Sequence, residues 1–429
     1  MPDIKRIYID SSLEEEHQNA HNEKFFRAKE LSVDMVENHI VLPLRQERLG
    51  VKGAKFHGGI VNDKAEFYAP CAHIHDLTSE VGSLTDGYAF SSETVETDDR
   101  TVVWGGVLFD HFGHFLTESL NRLWYVIDHP EKAYPVVFVC EKDRAISASV
   151  RSLLALLGIS GNRLILNDKP TRYAKIIVPE TSSVLTGFYT KEFVSPYREM
   201  AKGIDAKPFD KVYFSRRKFH GGIKIYGEDK LENVFKKAGY KIVYPEQIDL
   251  KDQIAYVKGA KEIACVMGSA AHLSLFAAPH TKLIVLERTE HINREQILIN
   301  QAMELDWYSV SANMNYLPVG HEFSPILMGI TDSVAAFFTD HGFPFDLKEV
   351  NRISDRNIRR FNRSWLSRYS SLKYNSQLEH IPTVYVRRIR TFCQTAFLSL
   401  RQRLFMKRTE GEFRVWSILG FSFKTKRHK

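Results

Sequence analysis

The chain is 429 residues long with 44% hydrophobic and 26% charged residues, the balance of a soluble globular protein and too long for one ordinary core. No apolar run approaches the roughly 20 residues that span a bilayer, and the opening MPDIKRIYIDSSLEEEH lacks the apolar stretch of a secretory leader. The net charge of +7 is uneven: His380 to Lys429 carries twelve Lys or Arg against two Glu, leaving −3 on the preceding residues, so the basicity belongs to a tail and not to a nucleic-acid cleft.

Residues 1–101 are irregular, with 73–76, 88–90 and 101–107 readable as strands or connections. His111 to Trp124 then has the spacing of an amphipathic helix. Apolar runs follow at 134–140, 174–179, 211–217, 241–245, 261–268 and 282–288, interleaved with helical segments such as 147–158 and 228–239, each of which ends at a glycine. Strands without alternation are buried on both faces, and their interleaving with helices implies parallel sheets. The polar stretch 196–210, with Pro196, Gly203 and Pro208, is the expected boundary. The expected organisation is therefore an N-terminal α/β domain over 1–205, a Rossmann-like domain over 206–330 and a basic helical tail over 331–429. The four cysteines are far apart and form no C-x-x-C pair, which suits reduced thiols in the cytoplasm.

Three motifs carry candidate chemistry. On the first helix, His111, His114, Glu118, Asn121 and Arg122 share one edge. The i,i+4 pair His114 and Glu118 offers an imidazole and a carboxylate that can share a proton, as a general base requires. Arg122 is placed to hold Glu118 ionised or to contact an anion. The same edge reads equally as a solvated face, and His111, His114 and Glu118 as a metal site, although the H-E-x-x-H arrangement is absent. The second motif is the strand end Ser215, Arg216, Arg217, Lys218, with Lys224 beyond it, suited to a diphosphate because guanidinium pairs bidentately with phosphate oxygens. The third is Gly268-Ser269-Ala270 with His272, read as a strand-to-helix turn whose helix start favours phosphate. Glu246 and Glu287 sit at other strand exits and suit a ribose hydroxyl.

In this order and spacing the motifs resemble the glycosyltransferase 61 family, bacterial branch, over about residues 100–290. The match rests on His111, His114, Phe115, Glu118, Leu120, Arg122 and Leu123, then on Ser215 and Arg216, then on Gly268, Ser269, Ala270, His272, Phe276 and Ala277. Ser274 stands where many relatives have asparagine, and Lys224 and Gly227-Glu228 replace the usual residues after the S-R pair.

The resemblance implies a GT-B-like pair of Rossmann-like domains and an inverting, metal-independent transferase without cofactor. Its donor would be a nucleotide sugar of UDP type, and its acceptor a glycan or lipid-linked molecule of capsule or other surface polysaccharide assembly. Glu118 or His114 would be the base, with Glu118 favoured and His114 orienting it. His111, Asn121 and Arg122 would bind substrate. Ser215, Arg216, Lys224, Glu246, Gly268, Ser269, Ala270, His272 and Glu287 would hold the donor. The basic stretch 384–408 has apolar residues at helical spacing, and 413–429 adds aromatics and cations. That pattern reads as an anchor placing residues 380–429 on the anionic inner face of the cytoplasmic membrane. A metal-dependent hydrolase built on His111, His114 and Glu118 and a non-catalytic glycan-binding scaffold are the alternatives.

Overall fold

The computed structural model describes residues 6–49, 53–140, 146–219, 221, 223–317, 325–374, 405–410, 413–418 and 421–426. Two sheets dominate. The first orders its strands Leu84–Asp86, Ala54–Val61, Ile40–Arg48, Thr171–Pro179, Glu96–Val107, Val136–Val139 and Leu164–Leu166, with Val33–Glu37 also paired to Thr171–Pro179. Its parallel half comes from the runs expected at 134–140 and 174–179; its antiparallel half comes from the stretch the sequence left irregular.

The second sheet is parallel throughout, in the order Ile7–Tyr8, Asp306–Ser311, Lys282–Glu287, Glu262–Val266, Lys211–Phe214, Lys241–Val243. Its five later strands are doubly wound, and the order reverses between Lys211–Phe214 and Glu262–Val266. Ligands of open α/β sheets collect at the carboxyl ends of the strands flanking such a reversal. The helices between strands behave as their sequences specify: Ala148–Leu156 is capped by the Ser147 side chain, and Glu228–Lys237 is followed by Gly239 at φ +87°.

The chain changes lobes twice. Ile7–Tyr8 completes the edge of the second sheet, and helix Glu14–Asn22 packs on helix Arg294–Ala302. The chain then enters the first lobe, where the Arg27 N–H donates to the Tyr189 carbonyl. It returns after helix Ser195–Lys202, which occupies part of the stretch expected to be a linker. The lobes share one apolar core: Val103, Phe115, Leu116 and Phe138 belong to the same buried cluster as Val212, Phe214, Leu273 and Phe276. Tyr197 bridges them, its ring edge-on to Phe276 at 5.8 Å and its hydroxyl donating to the Leu116 carbonyl.

The body extends past residue 330. Helix Asp332–Asp340 buries Val334, Phe337 and Phe338 against Tyr8 and Val310, and Phe361 and Trp365 of helix Asp355–Tyr374 pack on Tyr226 and Leu327. Beyond it, Phe405–Glu410, Phe413–Ile418 and Phe421–Lys426 form an antiparallel meander. The expectation of a helical tail is corrected there, and the physical reason is a change of period: Phe421 and Phe423 alternate with Ser422 and Lys424, a two-residue repeat that suits a strand. Most of the expected amphipathic helix, 384–404, lies outside the described residues. Among the described residues no helix is long and apolar enough to cross a membrane.

Arg122, expected at the substrate, is instead a buried clamp on the first lobe. Its guanidinium donates to the carbonyls of Pro179, Pro70 and Ala72, joining a strand end to the loop before residue 73. Arg122→Met should therefore destabilise the fold by about 3 kcal/mol by leaving buried carbonyls unpaired, read as a lower denaturant midpoint. Arg122→Lys should recover little of it, since an ammonium cannot reproduce the planar fork.

Candidate active site

The segment after Gly106 is helical, but not one regular helix. Phe112–His114 makes an α turn, Phe115–Ser119 a π turn, and Trp124–Asp128 resumes the α form. A π turn at this point is a common mark of a functional site. The polar edge of the segment turns inward along its length: His111 is exposed, His114 half-buried, and Glu118, Asn121 and Arg122 are buried.

Glu118 is the hub of the first lobe. Its Oε1 accepts from His114 Nδ1 at 2.5 Å, and its Oε2 accepts from His73 Nε2 at 3.0 Å and His75 Nδ1 at 2.9 Å. His73 and His75 stand two apart on an extended segment, so both rings reach the same side. The backbone of His73 is pinned by paired bonds with Leu84, and the His75 N–H donates to Ser83 Oγ. Burial pushes the Glu118 carboxyl up, but the three imidazole hydrogen bonds outweigh it and hold the pKa well below the usual glutamate range. Burial lowers the pKa of His75 and His114, and the bonds to Glu118 outweigh it, so both finish above the ordinary histidine value. An ionised carboxylate only accepts, which makes His114 Nδ1 the donor and leaves the lone pair of the neutral ring on Nε2. The Glu118 side chain is 1% exposed and that of His114 40%. The ring, not the carboxylate, meets the cleft.

His75, His114 and Glu118 form the group among the described residues that brings ligand atoms within 4.8 Å of one another, with His75 in the place expected for His111. Their bonded separations of 2.5 and 2.9 Å are hydrogen-bond lengths. Ligands at about 2.0–2.1 Å from a tetrahedral zinc stand roughly 3.3 Å apart.

Across the cleft, the switch point of the second sheet carries two arginines. Arg216 follows strand Lys211–Phe214 and Arg288 follows Lys282–Glu287. A Cβ on Gly268, whose φ is +129°, would lie 3.5 Å from Nη1 of each, so glycine leaves the space between them open. Among the described residues, Nε of both arginines and Nη1 of Arg288 have no hydrogen-bond partner. Burial and the like charge of Arg216 push Arg288 down to about 10, and burial lowers Arg216. Two adjacent guanidiniums held out of water with donors to spare are built for an anion with several oxygens.

The lobes face each other over a cavity of about 1050 Å³ lined by His75, His111, His114, Arg216, Ser269, Arg288 and others. Ser269 Oγ lies 3.0 Å from where a Cβ on Gly113 would be, so the lobes nearly touch beside His114. His272 also lines the cavity. Burial pushes it to about 4, and Gln296 Oε1 holds its Nδ1 at 3.0 Å. Glu295, from the second lobe, lines the cavity opposite the histidines, its pKa raised by burial and by the nearby Glu118 despite the opposing pull of His114.

Several expected residues have other duties. Asn121 Nδ2 donates to the Ser183 carbonyl inside the first lobe. Ser215 Oγ donates to Glu232, and Glu287 accepts from Ser309 Oγ within the sheet, its carboxyl raised to about 7 by burial. Lys224 and Glu246 are exposed and are not among the residues that line the cavity. Ala270 precedes a six-residue 3-10 segment, Ala271–Phe276, so the helix start expected at Ser269 is too short to supply a helix dipole. The charge falls to the arginines instead. His73, His75, Arg288 and Glu295 were missed; the alternation in "AHIHD" and the Arg ending "IVLER" were the available signals.

The family model described as Glycosyltransferase 61 matches residues 112–284, from the His114–Glu118 turn through Arg216 and Gly268 to the strand before Arg288. Over that stretch the chain is similar to the glycosyltransferase 61 family, a class that works on a sugar donor and an acceptor. No curated protein matches the chain.

The mutual repulsion of Arg216 and Arg288, added to their burial, weakens the empty fold despite the nearby carboxylates of Glu228, Glu246 and Glu287. Inorganic pyrophosphate at about a hundred times its Kd should raise the stability by roughly 2.7 kcal/mol, read as a thermal shift. Arg288→Met should keep or raise the melting temperature of the free protein while weakening the pyrophosphate response at least tenfold; Glu131→Gln, at an exposed turn of the first lobe, should change neither.

Proposed function

We propose that the protein is an inverting glycosyltransferase of GT-B type that moves a sugar from a nucleotide-sugar donor of UDP type to a glycan or lipid-linked hydroxyl. The observation that carries this reading is the facing pair: His114 on one wall of the cavity, Arg216 and Arg288 on the other. The donor diphosphate lies against the two arginines, with Ser269 and His272 beside it. His114 Nε2 takes the proton of the acceptor hydroxyl while its oxygen attacks the sugar C1 from the face opposite the leaving diphosphate. Glu118 stabilises the imidazolium so formed, and His73 and His75 hold Glu118 in place. The roles expected of Glu118 and His114 are thus exchanged. Preset donors at the leaving group supply the largest share of the stabilisation, and the base adds about 10²–10⁴-fold.

The sign of the pH dependence follows from the neutral ring. His114 is raised above its ordinary value, and its protonated form cannot accept a proton. Turnover should therefore rise with pH through that raised pKa. Glu118→Gln removes the charge that raises it, so the limb should move to lower pH with a fall in rate of about 10²-fold or more. His114→Ala should lose about 10²–10⁴-fold in kcat and keep pyrophosphate binding. A folded His114→Ala variant with wild-type transfer rates sinks the base assignment. Stoichiometric zinc with activity abolished by a chelator replaces it with the metal-dependent reading.

We also infer that the basic segment 380–429 holds the enzyme on anionic membrane at the cytoplasmic face, where surface polysaccharide precursors are lipid-linked. The charge of +10 over His380 to Lys429 supports this. Full-length protein should co-sediment with vesicles containing phosphatidylglycerol at low salt and be released at high salt. A chain ending at residue 379 should stay in the supernatant at both.

A further inference from the structure

The histidine wall has a second side. A separate cavity of about 570 Å³ lies within the first lobe, and His75, His111 and His114 line it as well as the inter-lobe cavity. The two spaces differ in chemistry. The inter-lobe cavity presents Arg216, Arg288, Arg294, Ser269 and Glu295. The other joins Phe56, Val81, Val107, Leu108, Phe109 and Ile146 to the polar Gln46 and Asp110. Phe109 continues the row of rings, with its centroid 5.6 Å from His114, 5.4 Å from His73 and 6.1 Å from Phe56. Asp110, a polar group of this cavity, already accepts the Ser147 N–H at 2.7 Å through Oδ1. Gly82 closes its rim so tightly that a Cβ there would come within 2.9 Å of the His75 ring.

A fully hydroxylated sugar on its own needs many hydrogen-bonding groups to replace its water, and beyond the histidines this cavity has, among the described residues, only the Gln46 and Asp110 side chains, the latter already engaged by Ser147. We propose that this cavity is the acceptor subsite, and that it takes a molecule whose reacting hydroxyl sits next to an apolar body, an alkyl or aryl glycoside end or a lipid-linked sugar. The proposal rests on the transferase reading above. The apolar body lies on Phe109 and Val81 and the hydroxyl reaches His114. The oxygen gives its proton to Nε2 and bonds to the donor's C1, and the C1–O bond breaks with its electron pair leaving on the diphosphate. The imidazolium later returns its proton to solvent.

The test uses the full-length protein with octyl β-glucoside, below its micelle concentration, and methyl β-glucoside as probes, followed by saturation-transfer NMR and a pyrophosphate thermal shift. The octyl compound should bind at least tenfold more tightly than the methyl one. Phe109→Ala and Val81→Asp should each weaken it at least fivefold and leave the pyrophosphate shift intact. Equal binding of the two glucosides, or octyl binding that both folded variants retain, overturns the acceptor proposal while a pyrophosphate shift preserves the donor reading. Octyl preference without any pyrophosphate shift overturns both, leaving an apolar site unconnected with transfer.

Discussion

One buried carboxylate organises the first lobe. Glu118 is buried, and burial alone pushes its carboxyl toward the neutral form. Three imidazole N–H groups converge on it and keep it charged. The charge in turn fixes which nitrogen of His114 carries the proton and which faces the cavity. Each element around the hub serves that convergence. The π turn brings residues 114 and 118 together, the pinned loop delivers His73 and His75, and the Arg122 clamp holds the start of that loop against a strand end.

The second lobe works by the opposite arrangement. Where the hub satisfies a negative charge fully, the switch point leaves positive charge unsatisfied at Arg216 and Arg288. A satisfied group is stable and holds its geometry; an unsatisfied one binds. The apolar core that runs between the lobes, with Tyr197 across it, sets the distance between these two devices. Substrate therefore meets a largely prearranged site, the condition under which fixed dipoles and charges lower a barrier most.

Six parallel strands were legible because they are apolar runs with little alternation, a pattern that needs no tertiary context; Ile7–Tyr8, Glu96–Val107, Leu164–Leu166 and Asp306–Ser311 were not, being short or polar over part of their length. The antiparallel strands at Val33–Glu37, Ile40–Arg48 and Ala54–Val61 were not: the first two are exposed over about half their length, and the last two carry proline or glycine within. In the site, the sequence identified His114, Glu118, Arg216 and Gly268 as neighbours in function. It could not assign direction. Helical spacing puts Glu118, Asn121 and Arg122 on one edge, but whether that edge meets water or the protein interior depends on what packs above it, here residues 70–75. For the same reason the spacing favoured Glu118 over His114, whose ring is the one that lines the cavity. Arg288 was overlooked in favour of its neighbour Glu287 because alternation along a strand end decides which of the two enters the cleft, and that phase is not written in a run of apolar residues.

Nitrogen-resolved NMR of the histidine rings tests the hub most directly. Above the pKa of His114 its ring should be the Nδ1–H tautomer, with Nε2 unprotonated and the Nδ1 proton far downfield in a short bond that Glu118→Gln abolishes. An Nε2–H tautomer for His114, or an Nδ1 proton indifferent to Glu118→Gln, would contradict the account.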